Sequence, residues 1–174
     1  LKERSMSTSF NVIRWTGENL VLLDQRRLPT EETYVQCVDD RSVADAITDM
    51  VVRGAPAIGI TAAYGVVLGC RRLMRPGHAI DHSEMSDLFD GLAQTRPTAV
   101  NLFWALDRMK SVIDSLDLNS DSALARIEAE AICIHREDEE MCTEMGRFGA
   151  DLLPDNARVL THCNTGALAT GGSG

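Results

Sequence analysis

The chain has 174 residues, 44% of them hydrophobic and 25% charged, which is the composition of an ordinary globular protein. Its formal net charge of −9 argues against a general nucleic-acid-binding surface or an anionic-membrane surface, because both need concentrated Lys and Arg. Its five cysteines form no CxxC pair, which argues against a disulfide framework or a zinc site and favours reduced thiols in the cytoplasm.

The first part of the chain predicts a small β element followed by a helix. Three short apolar runs have the length and composition of strands: residues 11–15, 20–23 and 34–38. From Ser42 the apolar positions recur with helical period, and Asp45, three residues after Ser42, suggests an approximate capping box. This helix should end before Gly54.

Helical patterns dominate the middle of the chain. Four segments bounded by turn and proline signals predict helices: residues 56–74, 83–94, 98–116 and 120–153. The first is apolar almost all round and rich in small residues, so it should be buried, but it is too short and too glycine-rich to span a membrane. The longest is ended by Pro154, and the charged run in its middle, residues 135–140, is expected to be a solvated face.

A short apolar pattern at residues 157–160 predicts a buried strand, and the polar stretch Thr161-His-Cys-Asn-Thr-Gly-Ala-Leu168 follows it. In open α/β sheets, ligands bind at the carboxyl ends of the strands. We therefore predict an α/β protein with three parts. They are a mainly helical N-terminal domain with a small β element (1–118), a long connecting helix (119–156), and the first strand and loop of a truncated Rossmann-like domain (157–174). Most of that sheet is missing, so we expect an incomplete fragment.

Two Arg-containing junctions precede predicted helices and could bind an anion. Arg53 is followed by Gly54 and Ala55, whose amides fall at the start of the helix that Pro56 opens. A helix N-terminus favours negative charge, and a guanidinium can donate two hydrogen bonds to a phosphate. The alternative is a turn between two helices in which Arg53 caps the preceding carbonyls. Arg96 stands at a similar junction; alone it would be a solvated charge, but two such junctions favour convergence on one anion.

Cys163 is a candidate catalytic residue, because its neighbours are polar and it follows the predicted strand. A buried strand cysteine is more often a packing residue, so this context leaves both interpretations open. The other four cysteines lie in apolar or helical settings and are interpreted as packing residues: Cys37, Cys70, Cys133 and Cys142. His78 and His82 have the spacing of a metal-binding pair but lack a third ligand, so we expect a surface pair, no metal and no cofactor.

Four stretches of the sequence carry a family resemblance: residues 15–17 with 23–29, 50–59, 95–102 and 161–170. Together they resemble the methylthioribose-1-phosphate isomerase family, which acts in methionine salvage, a route of amino-acid biosynthesis. The resemblance implies a cytoplasmic homodimer in which a helical N-terminal domain precedes a Rossmann-like domain. It also implies an aldose–ketose isomerase that converts 5-methylthioribose 1-phosphate to 5-methylthioribulose 1-phosphate.

The resemblance also implies roles for individual residues. Substrate-binding positions of the family match Arg53, Gly54, Ala55 and Arg96, and its catalytic thiol matches Cys163. Phosphate on the anomeric oxygen keeps the sugar ring from opening by itself, so the enzyme must open the ring and then move hydrogen from C2 to C1. A catalytic Asp of the family lies well beyond the Cys motif and has no counterpart in these 174 residues. We therefore expect the isolated chain to be inactive.

Two alternatives stay open from the sequence. A related isomerase acting on ribose 1,5-bisphosphate would need a second positive pocket, whereas a methylthio group needs an apolar recess, which the helix at 56–74 and Phe103 or Trp104 could line. A non-enzymatic regulatory subunit of a translation-initiation exchange factor would share the fold but would not need a thiol at this strand end. Cys163 and both Arg motifs favour the enzyme, with a sugar phosphate, and neither nucleic acid nor membrane, as its partner.

Overall fold

The computed structural model describes residues 11–75 and 81–174, which form a three-stranded antiparallel sheet and five α-helices. The strands, in the order β1-β2-β3, are β1 (Ile13–Trp15), β2 (Leu20–Leu23) and β3 (Tyr34–Cys37). The helices are α1 (Asp40–Thr48), α2 (Ala55–Leu73), α3 (His82–Ala93), α4 (Val100–Asp114) and α5 (Ala123–Ala150). One turn of 3-10 helix, Gly166–Leu168, follows them. The mixed α/β composition agrees with the predicted class.

The predicted β element is present as a hairpin plus a third strand. β2 is the central strand, and all four of its residues are buried. Thr16 closes the hairpin: its amide donates to the Asn19 carbonyl, and its hydroxyl oxygen accepts from the Asn19 amide. Trp15, at the end of β1, stacks on Tyr64 of α2 with ring centroids 5.0 Å apart. The sheet is therefore fixed to the helical core through an aromatic pair.

α2 is the central helix of the molecule, as its composition predicts. Every residue from Ala57 to Cys70 is buried, and helices α1, α3, α4 and α5 all pack against it. Pro56 stands in the first turn, where a helix does not need its amide for an internal hydrogen bond. Because α2 is surrounded, its N-terminal end is held in one position relative to the start of α4 and the middle of α5.

α1 begins before the predicted Ser42, because Asp39 rather than Ser42 is its N-cap. Asp39 Oδ1 accepts a hydrogen bond from the Ser42 amide at 2.8 Å, and the Ser42 hydroxyl oxygen accepts from the Asp39 amide at 3.1 Å. These reciprocal bonds are a capping box with Ser42 at its third helical position. The hydrogen bonds from the Ser42 side chain and then its amide lower the pKa of Asp39.

Asp39→Ala should reduce the free energy of unfolding by about 1 kcal/mol near neutral pH, because α1 loses its N-cap acceptor. The folded-state pKa of Asp39 lies below the usual value. The stabilisation is therefore complete above the usual carboxyl pKa of about 3.9 and is lost as the pH falls through the lowered pKa. Urea unfolding at several pH values should show the gap between wild type and Asp39→Ala shrinking on acidification.

Asp39→Asn is the matched control, because Asn keeps an oxygen acceptor at the N-cap but cannot titrate. The gap between Asp39→Asn and Asp39→Ala should stay constant with pH. A gap between wild type and Asp39→Ala that does not change with pH would contradict the assigned cap.

The end of the helical region differs from the prediction. α5 ends at Ala150, before the predicted residue 153, and residues 157–160 do not form the predicted buried strand. Val159 and Leu160 are instead 65% and 96% exposed. A strand needs a neighbour to take up its backbone N–H and C=O groups, and the three strands of the described residues pair only with one another. The apolar pattern at 157–160 therefore has no sheet to join here, and the predicted strand is wrong for this structure.

Candidate functional site

A segment that follows the candidate thiol is docked against the start of α2. We call residues 166–172 the docked segment. Gln25 Nε2 donates a hydrogen bond to the Leu168 carbonyl at 2.8 Å, and the Ala57 amide donates to the Ala169 carbonyl at 3.0 Å. Ala57 lies in the first turn of α2, where backbone amides have no partner inside the helix. The polar stretch that contains the thiol is thereby attached to the first Arg junction.

Gly54, the N-cap of α2, lies directly against the docked segment. Its φ is +110°, a conformation that residues with a side chain rarely adopt. A Cβ at this position would lie only 2.5 Å from the Cα of Ala169. The approach of the docked segment to the junction therefore requires glycine at residue 54.

The donors of the first junction are unused. Among the described residues, no hydrogen bond involves the amides of Gly54 and Ala55, and Arg53 is exposed and forms no ion pair. The alternative role of Arg53, capping the carbonyls of a preceding helix, is not observed. The junction therefore offers free donors at the positive end of the α2 dipole.

Arg96, at the second junction, is half-buried and contains a nitrogen without a partner. Its carbonyl accepts a hydrogen bond from the Ala99 amide at 2.9 Å in the turn before α4. Its Nη1 atom is buried and forms no hydrogen bond. Leaving a buried donor unpaired costs about 1–3 kcal/mol, and more for a charged group. An anion bound at this junction would supply the missing acceptor.

The two junctions border one cavity of about 400 Å³. Pro56 lines the cavity from the first junction, and Val100 and Asn101 line it from the second. Trp104 of α4 and Met141 of α5 add apolar surface. The packing of α4 and α5 on α2 therefore brings residues of both junctions to the same opening, whereas Arg53 and Arg96 themselves are not among the lining residues.

Cys163 lies in the loop before the docked segment and is exposed. Its φ is +67°, in the left-handed region, where a residue with a side chain carries strain of about 1–3 kcal/mol. In the described part of the chain, no hydrogen bond or ion pair joins its thiol to Arg53 or Arg96. The structure therefore places the thiol in solvent rather than in apolar packing, and connects it to the first junction only through the docked segment.

The other cysteines are mostly packing residues, as predicted. Cys37 and Cys70 are fully buried, and burial raises their pKa values to about 11 and about 12, so both thiols stay protonated. Cys142 is also buried, and burial raises its pKa. Cys133 differs because it is only half-buried and its thiol donates to Glu137 Oε1 at 3.2 Å.

The expectation of a solvated face at 135–140 is wrong for two residues. Asp138 is 7% exposed and accepts a hydrogen bond from the Gly171 amide at 2.7 Å, and His135 Nε2 lies 2.7 Å from the Gly171 carbonyl oxygen. Both side chains are covered because the docked segment lies on them. The sequence contains one indication of this burial. Asp138 lies four residues after Ile134, so it falls on the same buried face of α5.

Two expected absences concern metal ions and membranes. In residues 11–75 and 81–174, no group of three or more His, Cys, Asp or Glu side chains is placed to hold a metal ion. The surface pair predicted for residues 78 and 82 falls outside the side chains that the structure describes. None of the described helices is long and apolar enough to cross a membrane.

Known proteins resemble the chain over most of its length. A model of the Initiation factor 2 subunit family matches residues 51–171. The methylthioribose-1-phosphate isomerase of Geobacter sulfurreducens is 50% identical over 167 residues, covering 95% of this chain and 48% of that protein. The protein of the same name from Alkalilimnicola ehrlichii is 54% identical over 160 residues, covering 92% and 45%. The chain thus spans about half the length of the curated relatives it matches.

Two solved structures have a similar fold. The 5-methylthioribose 1-phosphate isomerase of Pyrococcus horikoshii OT3 gives a TM-score of 0.81 at 37% identity, covering 94% of this chain and 46% of that chain. Subunit delta of the translation initiation factor eIF-2B from A. fulgidus gives a TM-score of 0.77 at 37% identity, covering 93% and 47%. An enzyme and a translation factor share this fold, so the choice between them depends on the site.

Proposed function

We infer the function from one premise: the chain belongs to the Initiation factor 2 subunit family. Relatives that are about half identical to it are named methylthioribose-1-phosphate isomerase. We propose that the chain acts in the conversion of 5-methylthioribose 1-phosphate to 5-methylthioribulose 1-phosphate, an aldose–ketose isomerisation of methionine salvage. Its partner in this reaction is the small sugar phosphate.

The observation that carries this proposal is the buried Nη1 of Arg96, which has no acceptor. A phosphate oxygen would satisfy it with a charge-assisted hydrogen bond. Pro56 of the first junction lines the same cavity as Val100 and Asn101, which follow Arg96. Directly before Pro56 stand the unused amides of Gly54 and Ala55 and the exposed Arg53. Two guanidinium groups supply positive charge for one phosphate, and together with the amides of a helix N-terminus they supply hydrogen-bond donors for its oxygens.

The cavity also supplies an apolar recess that suits a methylthio group. Ile60, Trp104 and Met141 line it, whereas Phe103 lines a separate groove against α3. The lining residues include Glu137, which is paired with Arg108, and Asp138, and they include no Lys or Arg. The cavity therefore offers no basic group for a second phosphate, which favours methylthioribose 1-phosphate over ribose 1,5-bisphosphate.

Cys163 is the proposed acid–base residue of the reaction, or the group that stabilises the charge developing on the substrate. Opening the ring requires a proton donor and a proton acceptor, and hydrogen must then move from C2 to C1. Its thiol is exposed, so it is available to a substrate without first being uncovered. A proton route through an enediol and a hydride route are both compatible with this assignment.

Compartment and assembly follow from the same proposal. Free thiols at every cysteine of the chain suit a reducing compartment, and we place the protein in the cytoplasm as a homodimer. The division into an N-terminal domain, a connecting helix and a Rossmann-like domain stays a prediction, with α5 (Ala123–Ala150) as the connecting helix.

Arg96→Ala should raise KM for methylthioribose 1-phosphate about 10- to 100-fold, because one charge-assisted hydrogen bond to phosphate is lost. Arg96→Lys should recover only part of the loss, since an ammonium keeps the charge but not the planar pair of donors. Arg126→Ala, which removes an exposed Arg of α5, is the matched control and should leave KM unchanged. Steady-state kinetics on the protein as its gene encodes it measures all three.

The competing functions give different results in the same assay. Turnover of ribose 1,5-bisphosphate in preference to methylthioribose 1-phosphate would replace the proposed substrate. The regulatory alternative, which the eIF-2B neighbour favours, predicts no turnover of either sugar and no effect of Arg96→Ala on sugar binding. Either outcome would overturn the proposed function.

A further inference from the structure

We propose that Asp138 and His135 are positioning residues that hold the docked segment, which follows Cys163 in the chain, against the first Arg junction. The proposal rests on the proposed function for its catalytic consequence, but the positioning itself can be tested without turnover. Both side chains act on the backbone of the docked segment, and Asp138 also lines the cavity.

The argument begins at Gly171, whose two backbone polar groups are both bound by one helix. Its amide donates to Asp138 Oδ2 at 2.7 Å, and its carbonyl oxygen lies 2.7 Å from His135 Nε2. His135 and Asp138 are three residues apart in α5, which places them on the same helix face. We call these two side chains with Gly171 the Gly171 clamp. A residue held through both its donor and its acceptor can neither rotate nor slide along the helix.

The geometry also shows which His135 nitrogen donates to Gly171. A backbone carbonyl can only accept, so His135 Nε2 must carry the hydrogen of that bond. The Tyr64 hydroxyl lies 3.1 Å from His135 Nδ1, so the second ring nitrogen has a hydrogen-bond partner as well. The imidazole is therefore oriented through both of its nitrogens.

His135 is in turn held by the aromatic pair of the core. Tyr64 stacks on Trp15, and the Trp15 indole nitrogen donates to Glu128 Oε1 at 2.7 Å. Glu128 belongs to α5, as His135 does, so the chain of contacts returns to the same helix. The clamp is therefore built on rigid elements rather than on surface side chains.

The clamp holds the docked segment at a second place, beyond the contacts to the first junction. Gln25 and the Ala57 amide hold the carbonyls of Leu168 and Ala169, and α5 holds Gly171. Gly171 lies directly against α5, since a Cβ there would lie 2.5 Å from His135 Cδ2. Cys163 is only a few residues before the docked segment, so its position depends on where that segment is held. A misplacement of about 1 Å can reduce a reaction rate about 100-fold.

The kinetic test compares disruptive and conservative variants in the protein as its gene encodes it. Asp138→Ala and His135→Ala should each lower kcat about 10- to 100-fold. His135 does not line the cavity, so His135→Ala should leave KM within about twofold, since the phosphate is held at the Arg junctions rather than by the clamp. Asp138→Asn and His135→Gln keep an acceptor and a donor in place and should restore most of kcat. Glu140→Gln, which changes an exposed carboxylate of α5, is the control and should be neutral.

The second measurement follows hydrogen exchange of the amides in residues 166–171 and does not depend on any activity. Asp138→Ala should accelerate exchange there and Asp138→Asn should restore protection, with the core amides of α2 unchanged. Equal protection in wild type and Asp138→Ala would overturn the clamp. Accelerated exchange with kcat unchanged, or a rise in KM alone, would overturn the positioning role. If the wild-type amides of residues 166–171 are protected as expected but the protein has no turnover, the proposed function is wrong and the Gly171 clamp is still supported.

Discussion

Cys163→Ala should lower kcat for methylthioribose 1-phosphate by about 100- to 10,000-fold, the range that a single acid–base group contributes. KM should change little, because the phosphate is held by the two Arg junctions rather than by the thiol. The substitution should also leave the stability of the protein almost unchanged. Alanine keeps a Cβ at the same φ of +67°, so the backbone strain is equal in both proteins, and the exposed thiol has no packing to lose.

Cys133→Ala is the matched control for this experiment. Cys133 is also a partly accessible thiol, and its hydrogen bond goes to Glu137 rather than to the docked segment. Its replacement should leave kcat within about twofold. Full turnover in Cys163→Ala, measured beside this control, would remove the thiol from the mechanism and strengthen the regulatory alternative.

Gly54→Ala should lower the free energy of unfolding by about 2–5 kcal/mol, as two effects add at one residue. A φ of +110° is strained for any residue with a side chain, and the new Cβ would lie 2.5 Å from the backbone of Ala169. The contact is with a Cα atom, which cannot move away by changing rotamer. Urea unfolding should therefore show a lower midpoint, and kcat should fall because the docked segment, which follows Cys163, is pushed off the junction.

Two other glycines separate the two effects. Gly17 has a φ of +86° and nothing within 4 Å of a Cβ, so Gly17→Ala should cost only the strain of about 1–2 kcal/mol. Gly146 lies inside α5 with open space around it, and Gly146→Ala should stabilise the protein by about 0.5–1 kcal/mol. If Gly54→Ala were no worse than Gly17→Ala, the close approach of Ala169 would not matter and the assignment of the junction would weaken.

The helices were predictable because their signals are local. The apolar, small-residue composition of α2 predicted a buried central helix, and Pro56 marked its start. Pro97 was a less exact signal, because α4 begins at Val100 rather than at the predicted residue 98. The N-cap of α1 was misplaced because Asp39 and Ser42 are both good capping residues. Only their reciprocal hydrogen bonds show that Asp39 is the cap and Ser42 the third helical residue.

The predictions that were wrong concern residues whose structure depends on contacts with residues distant in the sequence. Residues 157–160 have an apolar strand pattern, yet a strand forms only where another strand pairs with it. His135 and Asp138 stand in a run of charged residues, and only the docked segment covers them. At the candidate site, the sequence motifs and the signals for helix starts predicted both Arg junctions. The left-handed backbone of Cys163 and the unpaired Nη1 of Arg96 have no signature in the sequence.

The hydrogen bond between Gln25 and Leu168 spans 143 positions of the sequence. Contacts of that separation form late in folding, since closing so long a loop has a large entropic cost. A polypeptide can thus form its helices, with both Arg junctions, before residues 166–172 close on α2. Turnover of a sugar phosphate, rather than its binding, would then report that the chain has completed its folding.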